Sequence, residues 1–217
     1  MARTPKPKPP APTLVLLVRH GQTPTTGKTL PGRAPGLHLA DKGRDQAEVA
    51  ASRIAPLKNV DAVYASPLER TRETAAPIGK AVGTRVKIDK GLLECDFGAW
   101  TGRELKDLNK LPEWSTVQRY PSGFRFPDGE SFPEMQTRIV SCLGTLAARH
   151  PGKTIVTVSH ADPIKAAVAH ALGTHLDLFQ RIVISPCSIT AILYTAGGPA
   201  VLTTNSTGDD LSTLGLS

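Results

Sequence analysis

The chain has 217 residues, 40% hydrophobic and 21% charged, which fits one soluble globular domain able to bury a full core without disulfide or metal staples. A formal charge of +7 favours anionic partners such as phosphorylated metabolites, nucleic acids or acidic membranes, without choosing among them. Cys95, Cys142 and Cys187 are odd in number, widely spaced and without a CxxC pair, which suits free thiols in a reducing cytosol rather than a disulfide framework or zinc site.

Residues 1–12, MARTPKPKPPAP, form a basic Pro-rich tail whose composition predicts disordered, solvated chain. Its three basic residues serve solubility more readily than nucleic-acid binding, and no nucleic-acid partner is expected. The apolar run Leu14 to Val18 is broken by Arg19 and is too short for a secretory segment or a membrane span. A cytoplasmic protein without a membrane partner is expected, with residues 13–217 as its single domain.

From Thr13 the elements alternate. Thr13 to Val18 (TLVLLV) is a continuous apolar run, as in a strand buried on both faces. A helix follows Asp41, a short strand covers Asp61 to Ala65, and Ser66-Pro67 punctuates it. Pro67 suits the first turn of the next helix, which runs to about Val82. Val86 to Ile88 reads as a short edge strand, and residues 91–129 as a long irregular excursion that could cover a site. A helix over Ser131 to Arg149, a buried strand over Thr154 to Ser159 and a helix over Pro163 to Leu172 complete the alternation. Strand-like segments at Ile182 to Ile184, Ile189 to Tyr194 and Ala200 to Thr203 end the chain.

This order predicts an α/β fold, a three-layer α/β/α sandwich around a mainly parallel mixed sheet. Sites in such sheets lie outside the carboxyl ends of the strands. Arg19-His20 follows the first strand, Ser66 to Arg70 the second, and His160 the strand TIVTVS. Two histidines and at least one arginine are thereby aimed at one edge.

Phosphoryl transfer needs cationic donors, an in-line nucleophile and a proton for the departing alkoxide. Arg19 and Arg70 can supply planar forks for phosphate oxygens. A neutral imidazole is a competent nucleophile without a helper base, and Glu94 can give and retrieve the proton. Asp96, Glu104 and Glu130 compete with Glu94 for the acid, and Arg72 competes with Arg70 for the pocket.

Arg19-His20-Gly21-Gln22-Thr23 resembles the RHG-[EQ]-T signature of the histidine phosphatase superfamily, the phosphoglycerate mutase-like group with cofactor-dependent mutases and broad phosphatases. Further segments resemble that family in order: Leu39 to Gly43 with Gln46-Ala47, Ser66 to Ala75, Leu93 to Gly102, Pro127 to Ser131 and Ser159-His160. The resemblance covers about Thr13 to Thr203. It implies a nucleophile at His20, a proton donor at Glu94 and a phosphate pocket from Arg19, Arg70 and His160. Gln22 and Thr23 would line the pocket, Ala161 would adjoin it, and backbone N–H groups near Gly21 would assist. Thr26 stands where members often carry Asn, Ala161 follows the second histidine in place of Gly, and Thr29 to His38 lacks a common aspartate.

The implied activity is a metal-independent phosphatase for a small phosphorylated metabolite, with no cofactor. A phosphomutase is the enzymatic alternative; the compact stretch around residues 100–130 favours hydrolysis. A catalytically silent binding protein is the other alternative, against which the intact His20, Glu94 and His160 argue. His38, His150, His170 and His175 show no ligand spacing. Trp100 reads as packing, whereas Arg33, Arg125 and Trp114 are candidates for substrate selection. An exposed edge strand could pair two subunits into a homodimer.

Overall fold

The computed structural model describes residues 10–208 together with Leu211 and Leu214. Most of the expected tail, residues 1–9, lies outside them. Pro10 and Ala11 are exposed, and the carbonyl of Pro12 accepts a hydrogen bond from the Gly152 N–H at 3.2 Å.

Six strands form one sheet: β1 (Thr13–Arg19), β2 (Val60–Ala65), β3 (Val86–Ile88), β4 (Thr154–Ser159), β5 (Ile189–Thr195) and β6 (Gly198–Ser206). Their order is β3-β2-β4-β1-β5-β6; the first four run parallel, and β5 and β6 are antiparallel additions at the β1 side. Helices α1 (Asp41–Ile54), α2 (Glu69–Ala81), α5 (Phe132–Arg149) and α6 (Ala161–Ala171) cover its faces. The intervening α3 (Leu105–Leu108) and α4 (Trp114–Arg119) are single short turns in the excursion.

Alternation along β1 explains the layering. Leu14, Leu16 and Val18 share a buried cluster with Ile54 of α1 and Ile78 of α2. Val15 and Leu17 pack in a second cluster with Ile139 of α5 and Ile164 of α6. A strand with helices on both faces has no polar face to present, so Leu14 to Val18 are all apolar. The expected three-layer α/β/α sandwich is what forms.

Three local expectations are corrected. Helix α2 begins at Glu69, after an extended Leu68, so Pro67 lies outside its first turn. The Thr71 hydroxyl donates to the carbonyls of Ser66 and Leu68, holding the approach open. Helix α6 begins at Ala161 rather than Pro163, with His160 at its N-cap. Ile182 to Ile184 is not a strand: it leaves a 3-10 turn (Leu176–Arg181), and the Ile184 carbonyl accepts from the Arg19 side chain at 2.6 Å. The expected start at Ser131 matches a capping box, in which its hydroxyl accepts from the Glu134 N–H while the Glu134 carboxylate accepts from its own N–H. No helix of the described residues is long and apolar enough to cross a membrane.

Candidate active site

Strands β2, β4 and β1 are neighbours, and their carboxyl ends place Ser66, His160 and His20 side by side. The ladder runs one residue past the strands. The His20 N–H donates to the Ser159 carbonyl and the Ser66 N–H to the Val158 carbonyl, both at 3.0 Å. The site residues therefore inherit the rigidity of the sheet.

His20 is 6% exposed. Its Nδ1 lies 2.8 Å from the Gly21 carbonyl, which can only accept, so Nδ1 carries the proton and Nε2 keeps its lone pair. Arg70 is wholly buried; its Nε donates to His20 Nε2 at 3.3 Å and one Nη to the Gly32 carbonyl at 2.7 Å. Burial, then the charges of Arg70 and Arg19, hold the His20 pKa well below the ordinary imidazole value. The ring is neutral at neutral pH, as a nitrogen nucleophile must be.

His160 is fully buried, its ring centroid 5.2 Å from that of His20. Its Nε2 is 2.9 Å from the Ser66 hydroxyl, and its Nδ1 is 4.0 Å from Glu94 Oε2. Burial and the nearby Arg70 lower its pKa strongly as well. Three buried side-chain nitrogens here have no hydrogen-bond partner among the described residues: Arg19 Nε, Arg70 Nη1 and His160 Nδ1. Buried donors of this kind are costly unless an anion or water meets them.

Glu94 is 7% exposed and stands where the excursion passes the sheet edge. Burial, reinforced by the Asp162 charge, pushes its carboxyl up to about 7, against the opposing pull of Arg70, the Cys95 N–H and Arg19. A carboxyl in that range can both give and take a proton near neutral pH. Its rivals are otherwise engaged. Asp96 and Glu130 pair with Arg33, at 3.3 and 2.9 Å, and Glu104 pairs with Lys106 at 2.6 Å.

Arg19, His20, Thr23, Glu94 and Ala161 line one cavity of about 390 Å³, while Arg70 and His160 lie buried beside His20. A larger groove of about 780 Å³, beside β3 between His38 and Ile88, contains none of these groups. Thr26, at the divergent signature position, also lines the smaller cavity, and its hydroxyl is 3.0 Å from that of Thr23.

Gly21 and Gln22 are not in the cavity wall. The backbone N–H groups of Gly21, Gln22 and Thr23 donate to Thr74 Oγ1, Gln46 Oε1 and Thr26 Oγ1 at 3.0, 2.9 and 2.8 Å. They are spent on the scaffold, which corrects the expectation that they face the phosphate. Gly21 instead permits contact between chain segments: a Cβ there would collide with the Gly43 carbonyl oxygen, and one on Gly43 would collide with that of Gln22.

The residues expected to select substrate are also elsewhere. Arg33 donates to the Glu94 carbonyl at 2.8 Å as well as to its two carboxylates. Arg125 bonds Glu134 and the Gly129 carbonyl, and Trp114 stacks on Trp100 with centroids 6.3 Å apart. Arg72 is exposed on α2, whereas Arg70 points inward. Sequence reasoning missed Asp162, Lys165 and Gln180, which wall the cavity, and the part of Ser66 in holding His160. Asp162 and Lys165 lie within the first turns after His160, a position that could have raised them. Among the described residues no group of three or more His, Cys, Asp or Glu side chains could hold a metal ion.

A three-layer α/β/α sandwich with two neutral histidines, one buried and one half-buried arginine and a high-pKa carboxyl at the strand ends is an architecture suited to phosphate esters. Residues 15–207 match the histidine phosphatase superfamily (branch 1), and the chain belongs to that family. A bifunctional protein of Mycobacterium tuberculosis is 32% identical over 201 residues, covering 91% of this chain. The chain spans only 55% of that relative's length. Phosphoserine phosphatase 1 of Hydrogenobacter thermophilus is 30% identical, over 76% of this chain and 79% of its own. A probable phosphoglycerate mutase of an Enterobacter species is 31% identical, over 83% and 84%. Among solved structures, phosphoserine phosphatase of Entamoeba histolytica in complex with 3-phosphoglyceric acid superposes with a TM-score of 0.81 at 28% identity, over 90% of this chain and 98% of its own.

Proposed function

We propose that this protein is a metal-independent phosphatase that hydrolyses a small phosphorylated metabolite through a phosphohistidine on His20. The observation that carries the reading is the tautomer of His20, whose Nδ1 proton is held by the Gly21 carbonyl so that Nε2 keeps the lone pair of a nucleophile, met in this structure by the Arg70 Nε–H.

Arg19, Arg70 and His160 hold the phosphate oxygens with the donors that no described residue satisfies. His20 Nε2 attacks phosphorus in line as the ester P–O bond breaks. The bond's electron pair leaves on the ester oxygen, which takes the proton of Glu94. Glu94, now a carboxylate, removes a proton from water; the water oxygen attacks phosphorus and the P–N bond breaks. Phosphate leaves, and His20 and protonated Glu94 are restored. Thr23 and Ala161 shape the wall beside the transferring group. Gly21 and Gln22 act behind it, as supports for the His20 backbone.

The test is chemical trapping. The enzyme is mixed with p-nitrophenyl phosphate carrying labelled phosphorus and quenched without acid. Protein-bound label that is acid-labile and absent from His20→Ala is expected. Acid-stable label, or label retained by that variant, would overturn the reading. Hydrolysis should survive EDTA; loss reversed by a divalent metal would point to a metal-assisted reaction instead. Similarity to probable phosphoglycerate mutases favours a phosphomutase as the second reading. Under that reading, transfer to a second phosphoglycerate would exceed release of free phosphate.

A further inference from the structure

The cavity has two ends of different chemistry. At the His20 end stand two guanidinium groups, Arg19 in the wall and Arg70 beside the nucleophile. Away from it the wall is mixed: Leu30, Phe97, Leu105, Ile182 and Val183 supply apolar surface beside the uncharged Thr26 and Thr29 and the Asp162, Lys165 and Gln180 cluster. Val183 is 65% exposed, an apolar side chain held at the rim rather than buried in the core.

Beyond Arg19, Lys165 is the cationic side chain among the described residues of that wall, and it is already committed. Its Nζ donates to Asp162 Oδ1 at 3.3 Å and to Gln180 Oε1 at 3.0 Å, and lies 5.8 Å from the Phe179 ring centroid. The Lys165 and Asp162 side chains are 16% and 18% exposed, so their charges cancel in a mostly dry place. Recruiting Lys165 to a ligand would strand Asp162 beside Glu94. Glu94 adds no positive charge in either protonation state.

A phosphate monoester brings about −2 charge at neutral pH, which Arg19 and Arg70 match. A second anion inside the cavity would lie among Leu30, Leu105 and Ile182 with no uncommitted cation in the wall itself, the nearest free ones being exposed side chains outside it such as Lys28 and Arg181, and desolvating it there is unfavourable. A methylene chain or ring in the same place gains by burial.

Resting on the phosphatase reading, we infer that the substrate is a monophosphate ester of an uncharged, partly apolar alcohol, and that the site discriminates against esters carrying a carboxylate or a second phosphate. This sets the chain apart from relatives named for phosphoserine and from the neighbour solved with 3-phosphoglyceric acid, both of which bear a carboxylate.

The experiment compares para-methylbenzyl phosphate with para-carboxybenzyl phosphate at constant ionic strength, with p-nitrophenyl phosphate as reference. The pair differs in charge far from the scissile bond. The uncharged ester is expected to have the higher kcat/KM by at least about tenfold. Val183→Arg, which puts a cation at the rim, should narrow that ratio at least about threefold. Equal or better turnover of the carboxylate by the unaltered protein would overturn the inference alone, and would bring the exposed Lys28 or Arg181 beside the rim into contact with substrate. A ratio unmoved in Val183→Arg would likewise count against it. Absence of turnover on all three esters would overturn the phosphatase reading, and this inference with it.

Discussion

The strand ends and the excursion between β3 and α5 both deliver charged groups to the same cavity, by different means. His20 and His160 extend hydrogen-bonded strands, and their neighbours are fixed by short contacts to neutral oxygens such as Thr74 and Ser66. Glu94 has no strand beneath it. Its backbone carbonyl is gripped by two guanidiniums, Arg33 Nε at 2.8 Å and Arg138 Nη2 at 3.2 Å. Glu130 ties both together, accepting from Arg33 at 2.9 Å and from Arg138 Nε at 2.8 Å. His20, the proposed nucleophile, thus stands on the core, and Glu94, the proposed acid, on an ion network that is partly open to solvent, with the Arg33 side chain 28% exposed. Nucleophile and acid should therefore respond differently to substitution, leaving group and pH.

The sharpest break between the two regions is Glu94→Gln. With an alkyl phosphate, whose alkoxide needs a proton, kcat is expected to fall roughly a hundredfold to ten-thousandfold. With p-nitrophenyl phosphate, whose leaving group needs little help, the fall should stay within about tenfold. Steady-state rates on the two esters decide it, and equal losses would assign the acid elsewhere. In the unaltered enzyme, kcat/KM on the alkyl ester should decline as pH rises through about 7, where Glu94 loses its proton.

A smaller effect concerns stability. In the unfolded chain Glu94 titrates near 4.5, and in the folded protein near 7. Between those values the native state holds a proton that the unfolded state has released, so stability falls as pH rises and levels off above about 7. The gap corresponds to ~3 kcal/mol lost by pH 8 relative to pH 4 from this group. Glu94→Gln lacks the slope and should gain stability over the parent at pH 8 compared with pH 4. Urea unfolding at the two pH values measures it; parallel curves would show that Glu94 is not buried as a proton-holding acid.

The same division governs what the sequence alone could reveal. TLVLLV is apolar after its first residue, and TIVTVS is built of β-branched residues up to its final Ser and carries no charge, because both faces are covered, so β1 and β4 and the residues after them are legible. Arg70 was separable from Arg72 by motif offset, and burial agrees: one is wholly enclosed and the other exposed. Residues placed by tertiary contact were not legible. Arg33 looked like a substrate-selecting cation, yet its partners Asp96 and Glu130 come from distant chain positions that no local pattern links to it. Asp162, Lys165 and Gln180 meet in the wall only because α6 and the turn after it fold over the same edge. Ile182 to Ile184 had strand composition, but its backbone serves Arg19 rather than a ladder.

The smallest predicted effect tests whether the ion network acts through Glu94. Arg33 touches no reacting group; it holds the Glu94 carbonyl and pairs with Asp96 and Glu130. If it is a positioning residue, Arg33→Ala should lower kcat on an alkyl phosphate by about tenfold, the scale of a misplaced rather than a missing group. KM should change little, because the phosphate is held at the strand ends. The p-nitrophenyl ester should be nearly unaffected, since it depends little on the acid. Arg33→Lys keeps the charge but cannot match the fork that spans a carbonyl and two carboxylates, so it should rescue only part of the loss. A uniform drop on both esters would instead mean that Arg33 supports the whole excursion, and that the acid is no less firmly seated than the nucleophile.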